Sequence, residues 1–329
     1  MLDRILNRAR NEFDKFKKKT ISLYDSFSIN KEPKVKFFSN KNVFYSITVF
    51  NIEYIELIEK VVFRSLLQDG NIPALKEKHF NQIFYIYTST KEELLHINKK
   101  ISHSKLNDFL KTKVKIISRK HRENEKIYLK RCHSASIQDS IENDALHVFL
   151  APDIFFGNYS IKNMVELSYS SNIGFASNAV RVTDKFIDIL DKNKKNFSNS
   201  DLLSLSLGTK NNLVSNKNKG LEFSKINDEY YKFINSRLSV NFVRYNSSDL
   251  KFFKRQKDFN SFDFDFPRKL LKEHRYKVVL NPDFFFFLEF TNESLLKDKI
   301  TVKKDLIYAK TSRNLAISAN EIVCGIWKS

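Results

Sequence analysis

From Lys41 onward the chain alternates β-rich runs with amphipathic helical stretches, a pattern that few folds satisfy. NVFYSITVF (42–50) is rich in β-branched and aromatic residues and predicts a strand. IEYIELIEKVVFRSLL (52–67) places Ile52, Ile55, Ile58, Val62, Phe63 and Leu66 at helical spacing. A turn-rich QDGNIPAL (68–75) follows, and QIFYIYTST (82–90) is β-rich again. Strand, helix and strand in that order make a βαβ unit, whose crossover joins parallel neighbours of one sheet.

The alternation continues. VKIIS (114–118) predicts a short strand, KIYLKRCHSASIQDSIENDA (126–145) a helix, and ALHVFLAPD (145–153) a strand that ends on Pro-Asp. GNYSIKNMVELSYSS (157–171) predicts a helix that Ser160 can cap, and IGFASNAVRV (173–182) one further strand. Residues 191–222 are rich in Asn, Ser and Lys with weak periodicity, which predicts a mobile loop or a loosely helical insertion. Beyond it, RLSVNFVRY, YKVVLN and FFFFLEF read as strands. The fold expected is α/β: a mostly parallel central sheet flanked by helices, with an antiparallel or irregular C-terminal part.

Residues 1–40 are expected to make a separate basic unit, a helix and a linker. Leu2, Ile5, Leu6, Ala9, Phe13 and Phe16 share one helical face, while Arg4, Arg8, Arg10 and the lysines from Lys15 to Lys19 occupy the rest. Such a stripe can cover a core or lie on an anionic lipid surface. The formal charge of +19 attracts polyanions generally, without choosing among nucleic acid, membrane and phosphorylated substrates. Two cysteines, Cys132 and Cys324, show no metal-ligand spacing and no disulfide framework, which suits a reducing cytoplasm. No apolar run approaches a membrane span, so the expectation is a cytoplasmic protein, peripheral at the inner face of the membrane.

Two stretches nearly repeat, FLAPDIFF (149–156) and VLNPDFFF (279–286). Proline has no N–H for the ladder, so pairing stops there and the following carboxylate turns toward the crevice outside the strand's carboxyl end. Gly157, Asn158 and Ser160 after the first copy are small and polar, as a loop close to phosphates requires. In either copy Pro-Asp can also serve simply as a turn.

Residues 46–90, 132–167 and 174–182 carry a resemblance, most specifically in SLLQDGNIPAL (65–75), and SFDFDFPRKLLKEHRYKVVLNPDFFFFLEFT (261–291) adds to it. The chain resembles a group of bacterial glycosyltransferase-like proteins of the GT-A, or nucleotide-diphospho-sugar transferase, type. The resemblance covers roughly residues 43–185 and 261–291. It implies a single GT-A-like domain over 41–329, with 41–185 binding the nucleotide-sugar donor and 223–329 forming the acceptor side. It further implies sugar transfer to a glycan or lipid-linked acceptor, in cell-surface polysaccharide biosynthesis.

Enzymes of this type usually hold Mg²⁺ or Mn²⁺ on a D-x-D at a strand end, against the donor diphosphate. Here that place reads Ala151-Pro152-Asp153, so one carboxylate remains as a metal ligand. Asp153 can share an ion with substrate phosphates and water, or basic groups can replace the metal. Arg131, His133 and Arg181 lie in the matching segments and are, with Asn158, the candidate donor-binding residues. Asp263 and Asp265, two apart on a β-rich run, would share one face, and either of them or Asp283 is a candidate general base.

Two other classes compete. A glycosyltransferase fold without turnover would bind donors and leave them intact. A nucleic-acid-binding protein would use the charge, but the chain has no zinc-finger spacing, RNP-like aromatic motif or helix-turn-helix, and no specific nucleic-acid partner is expected. Walker A, dinucleotide-fingerprint, H-E-x-x-H and G-x-S-x-G motifs are also absent.

Overall fold

The computed structural model of the chain describes residues 40–171, 173–176, 179–183, 186–192, 196–199, 201–202, 205, 224–226, 230–232, 239–255, 277–279 and 284–291. The basic N-terminal segment lies outside these residues, as do Asp263, Asp265 and Asp283.

The first βαβ unit forms as the sequence predicts. Strand β1 (Asn42–Thr48) leads into α1 (Ile52–Ile58), which continues through a π-helical turn (Glu59–Phe63) into a last helical turn (Arg64–Leu66). The widened turn coincides with three consecutive buried residues, Val61, Val62 and Phe63. Helix α2 (Ile72–Glu77), with proline in its first turn, returns the chain to β2 (Asn81–Thr88), parallel to β1. Next come α3 (Lys91–His103), β3 (Lys111–Ile116), α4 (Glu125–Glu142) and β4 (Leu146–Leu150).

The later elements are shorter: β5 (Ile154–Phe156), α5 (Ser160–Ser171), β6 (Ile173–Ala176), β7 (Ala179–Thr183) and α6 (Phe186–Lys192). Then follow β8 (Ser224–Ile226), β9 (Tyr230–Lys232), β10 (Ser239–Val243), α7 (Ser247–Arg255), β11 (Lys277–Val279) and β12 (Phe287–Thr291).

Among the described strands, the main sheet has seven in the order β11-β6-β10-β4-β1-β2-β3. Only β10 opposes the direction of the others, pairing antiparallel with both β4 and β6. The expected mostly parallel α/β sheet is therefore present. Its order β4-β1-β2-β3 reverses between β1 and β4, a topological switch point.

Val43, Tyr45, Ile47 and Val49 of the β1 segment enter one large core, shared with α1, α2, α3 and α5. The opposite face of the sheet is more polar and packs against α4. There Ser46 Oγ lies 2.6 Å from His147 Nε2, and Tyr87 Oη donates to Asp139 at 2.5 Å.

IGFASNAVRV, expected as one strand, supplies two strands in different sheets. β6 joins the main sheet, while β7 joins a three-stranded sheet ordered β5-β12-β7. That small sheet unites the two repeated stretches, for β5 and β12 follow the two Pro-Asp pairs and run antiparallel to each other. Phe156 packs on Phe285 and Phe287, with ring centroids 5.9 and 6.0 Å apart. Of the 191–222 segment, expected as a mobile loop or a loosely helical insertion, the described residues Phe197 and Leu202 are core residues. Ser160, expected as a cap, is instead the first residue of α5, and its hydroxyl joins the main-chain N–H and C=O of Phe286. Among the described residues no helix is long and apolar enough to cross a membrane.

Candidate functional site

β1 and β4 are neighbours at the switch point, and it is outside the carboxyl ends of such strands that open α/β sheets have their crevice. After β1, Val49 still donates to the Tyr87 carbonyl at 2.9 Å, so the ladder continues one residue past the strand. Asn51 then adopts φ 80° and ψ 140°, a backbone that few residues other than glycine tolerate, and α1 begins. Its N–H donates to Glu93 Oε1 at 3.0 Å.

Glu93 organises this edge. Its other oxygen accepts from Thr88 Oγ1, from the N–H and hydroxyl of Ser89, and from the N–H of Thr90. Thr90 Oγ1 accepts from the Glu93 N–H in return, completing a capping box at the start of α3. Partial burial alone would raise the Glu93 carboxyl, but the bonds from Ser89, Asn51 and Thr88 outweigh it and hold the group at about 2. One carboxylate thus joins the β1–α1 and β2–α3 connections.

After β4, Pro152 and Asp153 form a turn and are half-buried. The Asp153 carbonyl accepts from the Phe290 N–H at 2.7 Å, which fixes the turn on β12. The Asp153 carboxylate acts on Tyr54 in α1: the phenol is raised first by partial burial, then by Asp153, Glu125 and Glu53. Asp153 is thus close enough to Tyr54, in the first turn of α1, to act on it electrostatically. Its backbone position, in the turn that directly follows β4, is the strand-end position expected from the sequence.

The other candidates fall in different surroundings. Arg131 is on α4, where one guanidinium nitrogen donates to both oxygens of Glu123 at 2.9 and 2.8 Å and to the Ser118 carbonyl at 3.2 Å. It braces the β3–α4 connection. His133 is 3% exposed and packs edge-on against Phe149, ring centroids 4.0 Å apart, so its imidazole is enclosed between α4 and the sheet, out of reach of a crevice ligand. Burial pushes its pKa well down, and neighbouring His147 lowers it further. Arg181 lies in β7, in register with Glu289 of β12.

Asn158 has a structural task. Its Oδ1 accepts from the Gly70 N–H at 2.7 Å, and a Cβ on Gly70 would lie 2.6 Å from that oxygen, so the close approach requires glycine. This contact belongs to a larger latch made by the QDGN turn. Gln68 donates to the Phe156 carbonyl at 2.7 Å and accepts from the Phe197 N–H at 2.7 Å. Fully buried Asn71 donates to the carbonyls of Ser65 and Gly157 and accepts from the Ile161 N–H. SLLQDGNIPAL, the most specific stretch of the sequence, holds the loop after Asp153 in place.

Sequence reasoning passed over Tyr54, Glu93 and Arg119. For Glu93 a signal existed, the T-x-x-E spacing of a capping box in TKEE. Arg119, in the β3–α4 connection, stacks on the rings of Phe50 and Tyr128.

Among the described residues no three His, Cys, Asp or Glu side chains group to hold a metal ion. A Mg²⁺ or Mn²⁺ ion at Asp153 would accordingly draw most of its oxygens from substrate phosphates and water. The chain matches no protein-family model and no curated protein.

Proposed function

We propose that this chain is a GT-A-type glycosyltransferase that binds a nucleotide-sugar donor in the crevice at the β1/β4 switch point. It would transfer the sugar to a glycan or lipid-linked acceptor. The observation that carries the reading is Asp153, presented at the carboxyl end of β4 where open α/β sheets collect their ligands. The antiparallel β10 beside β4 also suits a mixed GT-A-like sheet better than a uniformly parallel dinucleotide-binding one.

In this reading Asp153 positions the donor diphosphate, directly or by sharing a divalent cation with it. Proton removal from the acceptor falls to Asp263, Asp265 or Asp283. Basic side chains near the crevice offset the charge that develops on the leaving diphosphate.

A second reading, donor binding without turnover, is favoured by the single carboxylate at Ala151-Pro152-Asp153. Incubation with UDP-, GDP-, CMP- and dTDP-sugars, with and without Mn²⁺ or Mg²⁺, separates the two. Nucleotide released from one donor class supports the transferase. Binding without release under every condition supports the second reading.

A further inference from the structure

Arg119, in the β3–α4 connection, lies over two aromatic rings. Its guanidinium carbon lies 5.3 Å from the ring centroid of Phe50 and 5.3 Å from that of Tyr128. The two rings meet edge to face with centroids 5.3 Å apart, so the three groups form a nearly equilateral clamp. Phe50 and Tyr128 are buried, at 7% and 0% exposure, whereas Arg119 is exposed. A long side chain that is normally free to move is thereby held against a buried aromatic pair.

The fork is held but not used. Among the described residues no hydrogen bond or ion pair engages Arg119, whereas Arg131 is bound to Glu123 and Arg244 to Asp144. Glu93 acts electrostatically on the same Tyr128 ring, yet its oxygens already accept from Asn51, Thr88, Ser89 and Thr90. Phe50 directly precedes the strained Asn51 at the β1 exit, which places the clamp at the carboxyl edge of the sheet, with the switch point.

We infer that Arg119, clamped by Phe50 and Tyr128, is an anion-binding residue of the crevice, its fork receiving the oxygens of a diphosphate group. The assignment rests on the donor-site reading above and names the group that neutralises the diphosphate there. Guanidinium suits this work because its parallel N–H groups match two phosphoryl oxygens, and the stacking has already removed much of its freedom. A diphosphate could come from a nucleotide donor or from a lipid-diphosphate acceptor, and the probes must distinguish these sources.

The test is calorimetric titration of the full chain with inorganic pyrophosphate, UDP, GDP and farnesyl diphosphate. Pyrophosphate reports the shared chemistry, the nucleotides report the donor, and farnesyl diphosphate reports the acceptor. Arg119→Ala is expected to weaken pyrophosphate and the preferred diphosphate by about tenfold or more. Arg119→Lys should recover only part of the loss, since ammonium lacks the fork, and Phe50→Leu should lie between, with the charge kept but the floor loosened. Arg119→Gln, which retains the stem and a planar polar head, repeats the test should the alanine variant lose its circular-dichroism spectrum.

Undiminished diphosphate binding by Arg119→Gln, or no binding of any probe by the native chain, overturns the inference. Arg119-dependent pyrophosphate binding in a protein that turns over no nucleotide sugar upholds the anion site and removes the glycosyltransferase reading.

Discussion

Asp153 does two separable things: its carbonyl fixes a turn on β12 through Phe290, while the charge of its carboxylate raises the Tyr54 phenol. Asp153→Asn keeps the first and removes the charge of the second. Donor turnover is expected to fall on the order of 10²-fold or more, with the urea midpoint nearly unchanged. Asp283→Asn, at the second Pro-Asp, should cost less, and equal activity of Asp153→Asn and native protein would reduce Asp153 to a turn residue. A different residue-level effect concerns His133 and His147, which burial keeps neutral, His147 at about 3. Both folded values lie below the unfolded value of about 6.5, so only the unfolded chain takes up these protons as pH falls. Stability is thus complete above about 6.5 and declines from there toward about 3. Urea midpoints measured from pH 7.5 to 5 should fall for the native chain and fall less for His147→Gln; identical slopes would contradict the buried neutral imidazole. Legibility at this scale was uneven. The backbone position of Asp153 could be placed because proline has no N–H for the ladder and ends the strand before it. The sequence singles out Arg131 and not Arg119, because the Glu123 carboxylate that occupies Arg131 comes from a loop with no local signature.

At the level of elements, polar side chains set the loops around the crevice. Asn71→Ala removes two donors and one acceptor from a fully buried site, stranding the Ile161 N–H and the Gly157 carbonyl. A loss of about 2 to 4 kcal/mol is expected in urea unfolding, against near neutrality for Asp69→Ala on the exposed side of the same turn. Comparable values for the two would mean that the latch is not carried by Asn71. Glu93→Gln should cost about 1 kcal/mol at neutral pH through its capping box. Because the folded Glu93 value lies below the unfolded one, that difference should shrink as pH falls from about 4.5 toward 2, a trend that thermal unfolding can follow. The elements most legible in the sequence were β1, α1, β2 and β4, whose burial on both faces or on one helical stripe is written into local periodicity. Helix α3 was missed because its stripe is thin: Leu95 is exposed, and only Ile97 and Ile101 are buried. The division of IGFASNAVRV between two sheets follows from distant partners, β10 for β6 and β12 for β7, about which local sequence says nothing.

For the whole molecule, the charge of +19 and the basic N-terminal stripe bear on location. Co-sedimentation with anionic vesicles should be stronger for the full chain than for one beginning at Phe37, and both should weaken with salt. Equal binding by the two would assign the attraction to the folded domain instead. The pairing of β5 with β12 has a further consequence, in the order of events during synthesis. Phe156, the Gly157 N–H and the Ser160 hydroxyl are satisfied by Phe285, Phe286 and Phe287, which a ribosome adds long after the first βαβ unit is complete. Until then a nascent chain carries the β4 exit with its small sheet open and aromatic surface uncovered, a condition that recruits chaperones and exposes the loop to proteases. β12, the last of the described strands, therefore completes the small sheet beside the Asp153 turn, and donor affinity in timed translation should appear only after it has emerged.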